Sequence, residues 1–121
     1  MPVSCSTERS NEMDKYLRNK INPGLVLNEF SSLEAYEEAL RFYLQDEFFL
    51  QLKEYLDNND FEMAKDALKG LYILAGDLKL FPLYEALLEI YQDLLEEEYR
   101  YLGERYEAMK SIHTALSEDF L

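Results

Sequence analysis

The sequence holds one cysteine, Cys5, one histidine, His113, and no tryptophan. A lone cysteine closes no internal disulfide, which excludes a small scaffold stapled by such bonds. A lone histidine excludes a metal centre built on several imidazoles. It also excludes the Glu-x-x-His pairs of di-metal helical bundles, because Lys110 stands three residues before it. No apolar run approaches the ~20 residues that span a bilayer. The opening residues, MPVSCSTERSN, carry no apolar core, so no secretory signal is expected. Cations are few as well: Lys plus Arg number 12 against 25 Asp plus Glu, a net charge of -13 and a pI near 4.4. Such a surface repels phosphate backbones and anionic lipid, so neither nucleic acid nor membrane is an expected partner. There is no Gly-rich phosphate loop, no internal repeat, and no Ser or Cys nucleophile in a recognisable frame. The expectation is a cytoplasmic, monomeric, acidic protein that is not an enzyme and carries no cofactor.

What is present suffices for one domain. The chain has 121 residues, 48% of them hydrophobic, enough to bury a core. Glycine and proline, with 4 and 3 copies, fall where helices begin and end. Asn22-Pro23-Gly24 closes a short first segment whose Met13, Tyr16, Leu17 and Ile21 follow helical spacing and point to a docked helix. Residues 1–22 thus read as a tail plus short helix, and 23–121 as the main bundle. Leu25 to Phe30 is a connector of about one turn. Ser31 with Glu34 reads as a capping box for a helix from Leu33 to Asp57, about 37 Å long. Its stripe contains Leu33, Tyr36, Leu40, Tyr43, Leu50 and Leu56, widened by Phe42 and Phe49. Asn58-Asn59-Asp60 is a turn, and Asn59 with Glu62 is positioned to cap a third helix ending near Ala75-Gly76. Pro82 suits only the first turn of a fourth helix, which carries Leu83, Leu87, Ile90, Tyr91 and Leu94. Glu96 to Glu98 mark a bend before a last helix with Leu102, Tyr106, Met109, Ile112 and Leu116. No segment alternates with period two. The fold class is therefore all-α, most simply an antiparallel up-down four-helix bundle with an additional short N-terminal helix.

The third helix presents two faces. Ala64, Ala67, Leu68, Leu71 and Leu74/Ala75 form the stripe expected to be buried. Glu62, Asp66, Lys69, Gly70 and Ile73 share the opposite side. Gly70 in mid-helix costs about 1 kcal/mol against Ala, and packing or a partner's close approach would offset that cost. Elsewhere, His113 reads as a structural histidine at the edge of an apolar face. Asp93 with Glu96 to Glu98 reads as a solvated charge run rather than a Ca²⁺ site.

The segment Asp60 to Leu83, DFEMAKDALKGLYILAGDLKLFPL, resembles the signature helix of histidine-containing phosphotransfer domains. These are four-helix bundles that relay phosphoryl groups between response-regulator receivers. That helix carries A-H-x-L-K-G, a second glycine six residues later, and a leucine four further on. Leu68, Lys69, Gly70, Gly76 and Leu80 fall on those positions. The likeness extends over about Gly24 to Leu94. The position of the phosphorylated histidine holds Asp66, and Ile73 stands where the family has a small residue. The resemblance implies a module that docks a response-regulator receiver domain or a hybrid sensor kinase without accepting phosphate. Lys69 would then face the receiver's acidic pocket, Gly70 would allow close approach, and Tyr72, Ile73 and Glu62 would complete the contact. The alternatives are a helical adaptor unrelated to phosphorelay and a receiver phosphatase. The second lacks the amide one turn beyond its acidic residue, since Lys69 and Gly70 stand there.

Overall fold

The computed structural model describes residues 13–121. Cys5 lies outside them. The described residues are helical with no strands: α1 (13–18), α2 (Pro23–Leu27), α3 (Leu33–Leu44), α4 (Phe48–Asp57), α5 (Phe61–Asp77), α6 (Phe81–Leu95) and α7 (Leu102–Phe120). α5 packs on α4 and α6, α7 packs on α6 and returns against α3, and α2 leans on α3. Among the described residues no helix is long and apolar enough to cross a membrane.

The single helix expected from Leu33 to Asp57 is two, broken at residues 45–47. The reason is one of phase. At 100° per residue, Phe49 lies about 180° around a straight helix from Leu40, so one straight helix cannot bury both. The break turns α4, and Leu40, Phe49 and Leu52 all enter the core. Asp46 supports the new start by accepting the Phe48 amide at 2.9 Å. Two residues placed in the apolar stripe pay the consequence: Phe42 is 85% exposed and Leu50 is 74% exposed.

Helix starts shift by one residue from the expected caps. Ser32, not Ser31, caps α3 by accepting the Ala35 amide at 3.1 Å. Asp60, not Asn59, caps α5 through the Met63 amide, and Glu62 instead pairs with Lys65 at 2.8 Å. Asn22 opens α2, accepting from the Gly24 amide with Pro23 in the first turn. Pro82 sits in the first turn of α6, as expected.

Helix ends use no glycine. Lys20, Asn59, Lys79 and Glu97 adopt φ of 58°, 57°, 60° and 54°, and no glycine has positive φ. After each, the next amide bonds the carbonyl five residues back: Ile21 to Tyr16, Asp60 to Tyr55, Leu80 to Ala75 and Glu98 to Asp93, at 2.8–2.9 Å. These are Schellman closures in which residues with a Cβ accept the left-handed conformation.

The N-terminal segment is docked. Tyr16 and Ile21 are buried, the Tyr16 hydroxyl donates to Glu37 at 2.6 Å, and Lys15 pairs with the same carboxylate. Arg18 and Asn19 both donate to Asp119 near the end of α7. Two tyrosines tie α3 to α5: Tyr36 donates to the Leu78 carbonyl at 2.7 Å and Tyr43 to the Leu71 carbonyl at 2.6 Å. Burial pushes both phenols well above their ordinary range, aided by Glu37 beside Tyr36 and Asp46 beside Tyr43.

Candidate functional site

α5 is the element that positions the candidate face. Its inward stripe is Ala64, Ala67, Leu68, Leu71 and Ala75, all buried. Leu74, paired with Ala75 in the expected stripe, is instead exposed. The outward side presents Glu62, Asp66, Lys69 and Ile73 to solvent, with Gly70 half-exposed between them. Helical periodicity alone thus brings five of the six candidate residues onto one surface. Tyr72 sits at its margin, half-buried, its ring meeting Tyr84 and Tyr91 of α6 at centroid distances of 5.8 and 5.6 Å.

Among the described residues nothing requires a glycine at Gly70. Its backbone is helical, and a Cβ built there meets only the Phe48 ring, at 3.9 Å, which is ordinary contact. Gly76 is closer to a neighbour, with Tyr84 at 3.5 Å. The helix therefore carries the roughly 1 kcal/mol cost of Gly70 without an internal return.

Lys15, Lys53, Lys65 and Lys79 are each held by a carboxylate at 2.8–3.0 Å. Lys69, like Lys20 and Lys110, forms no ion pair among the described residues, and its ammonium lies 5.7 Å from the centre of the Tyr91 ring. Asp66 is likewise free of hydrogen bonds and ion pairs among the described residues. A carboxylate and an ammonium, both solvated, flank an open backbone with Ile73, 54% exposed, one turn beyond. This can meet a partner's backbone closely and offer it one charge of each sign. It holds no nucleophile–base pair.

The other candidates fall into structural roles. His113 Nε2 lies 2.8 Å from the Leu44 carbonyl, so that nitrogen carries the proton. Its ring packs on Phe49 at 4.3 Å. It pins the end of α3 to α7, the structural role its spacing suggested. Asp93, read from the sequence as part of a solvated charge run, is instead buried and accepts from Arg105 at 3.0 Å, and Arg105 also reaches Glu89 at 3.1 Å. Among the described residues no group of three or more His, Cys, Asp or Glu is placed to hold a metal.

Spacing did not reveal the aromatic edge beside α5. Phe48 reaches Gly70 only because the break after Leu44 turns α4. The phase conflict between Leu40 and Phe49 was the available signal. No protein-family model, curated protein or solved structure matches the chain.

Proposed function

We propose that this protein is a phosphotransfer-like docking module that binds a response-regulator receiver domain, free or within a hybrid sensor kinase, and accepts no phosphoryl group. In this reading the chain is a cytoplasmic monomer and a variant four-helix bundle, in which α3 and α4 together replace one long helix. The observation that supports the proposal is Gly70: a half-exposed glycine in mid-helix that a Cβ would not crowd, flanked by Lys69 and Asp66, which have no ion pair among the described residues. A relay needs a neutral imidazole nitrogen that attacks an aspartyl phosphate and passes the group on. Asp66, in the acceptor's place by the resemblance, is an anion facing an anionic donor. Its carboxyl phosphate would not reproduce the phosphoimidazole. Docking without transfer is the chemistry left, with Lys69 paired to the receiver's acidic pocket and binding weakened by salt.

The test is calorimetric titration against purified receiver domains, with and without beryllofluoride as the phosphoryl mimic. Micromolar binding that disappears with Lys69→Glu is the expected result. No binding to any receiver, or binding indifferent to Lys69→Glu, overturns the proposal and leaves a helical adaptor. Receiver dephosphorylation accelerated by the protein would indicate a phosphatase instead.

A further inference from the structure

We infer that the groove at the α3–α4 break is a second docking surface, one that takes a positively charged amphipathic helix from another protein. The groove has a volume of about 490 Å³ and is lined by Phe42, Gln45, Asp46, Glu47 and Phe48. Phe42 is 85% exposed and Phe48 is 43% exposed, so two aromatic rings face water across one depression. The rephasing that buries Phe49 and Leu52 accounts for the break, and among the described residues Phe42 and Phe48 stay exposed.

The rim carries one sign of charge. Asp46 and Glu47 line the groove, and Glu38 lies one turn before Phe42 on the same side of α3. The cations of these helices are committed elsewhere: Arg41 faces Glu37 at 3.9 Å, and Lys53 holds Asp57 at 2.8 Å. An apolar floor inside a carboxylate rim complements a helix with Leu or Phe on one face and Lys or Arg flanking it. A second copy is a poor occupant, because two chains of net charge -13 repel. The groove adjoins the surface proposed for the receiver at Phe48, beside Gly70, but Lys69 is not among its lining residues, so Lys69→Glu and Phe42→Ser separate the two.

The test is fluorescence anisotropy of a labelled Leu/Lys peptide of about 18 residues, its leucines all on one helical face, titrated with the full chain. Saturable micromolar-range binding is expected. Phe42→Ser should weaken it roughly tenfold or more, as should the pair Glu38→Lys with Glu47→Lys, while Lys69→Glu leaves it unchanged. Asp46 is left intact because it accepts the Phe48 amide at the start of α4. Circular dichroism of Phe42→Ser should match the parent, since that ring contributes little to the core. Equal binding of a scrambled Leu/Lys peptide overturns the proposal, because charge alone would then suffice. So do indifference to Phe42→Ser, loss of binding with Lys69→Glu, and a parent dimer in sedimentation that Phe42→Ser dissolves.

Discussion

On the inward side of α5, Ala64, Leu68, Leu71 and Ala75 are fully buried, and the Leu71 carbonyl accepts the Tyr43 hydroxyl at 2.6 Å. On the outward side of the same helix, Gly70 has only the Phe48 ring beside it, Ile73 is 54% exposed, and Lys69 has no counter-ion among the described residues. The backbone is common to both, so the contrast isolates what side chains are selected for. Inward positions maximise packing. Outward, Gly70 and Ile73 give up stability that Ala or Glu would supply, while Glu62 and Lys69 keep only exposed contacts to Lys65 and the Tyr91 ring.

The largest test of this contrast is a matched pair of truncations. Leu71→Ala should cost about 2–5 kcal/mol in urea denaturation, from lost burial plus the cavity left behind. Ile73→Ala should stay within about 0.5 kcal/mol of the parent. A comparable loss at Ile73 would show that the outward side is part of the core, and the contrast would fail.

The next effect reads the inward side through pH. Burial holds the Tyr36 and Tyr43 phenols above the ordinary value of about 10. Above that pH the unfolded chain releases both protons while the native chain keeps them. Stability is therefore present well below pH ~10 and falls beyond it, with a slope that approaches about 2.7 kcal/mol per pH unit for the two groups once the unfolded phenols are ionised. Denaturation between pH ~10 and ~11 should show a loss of about 2 kcal/mol in the parent. The double variant Tyr36→Phe, Tyr43→Phe should lack it, after losing about 1–3 kcal/mol at neutral pH with the two hydrogen bonds. An unchanged slope in that variant would place the alkaline loss elsewhere.

A smaller pair turns on glycine. Gly70→Ala should raise stability by about 1 kcal/mol, because the added methyl meets Phe48 at ordinary contact distance. It should weaken receiver binding at the same time. Glu97→Gly should also stabilise by about 1 kcal/mol, since Glu97 holds φ of 54° at the end of α6. Asn59→Gly should gain less, because asparagine tolerates that region better. A destabilising Gly70→Ala in thermal melts would mean that the glycine serves packing after all.

These positions also mark where the sequence was legible. The helical class, the α5 stripe, the start of α6 at Pro82 and the structural use of His113 follow from period and punctuation. The α3–α4 break does not show in composition, since no glycine or proline stands between Leu44 and Phe48. It follows from a conflict of phase, visible only when Leu40 and Phe49 are required to share one core. The helix ends near Asn58, Gly76 and Glu96 were legible to within two residues, but not how they close, because Lys20, Lys79 and Glu97 adopt a conformation their residue types disfavour. The outward face of α5 was legible residue by residue, whereas its aromatic border at Phe48 depended on tertiary geometry.

The smallest expected change carries the functional argument. The Lys69 ammonium has no ion pair among the described residues and lies over the Tyr91 ring, a cation–π contact at 5.7 Å. Lys69→Glu should therefore cost no more than about 0.5 kcal/mol, read as an almost unmoved denaturation midpoint. In receiver titrations the same substitution should remove binding, because it places a second anion beside Asp66 against an acidic pocket. A large effect on association with almost none on folding is what distinguishes a residue kept for a partner from one kept for the core. If Lys69→Glu instead lowers stability as Leu71→Ala does, Lys69 belongs to the inward economy of the fold, and the division of α5 into two faces loses its functional meaning.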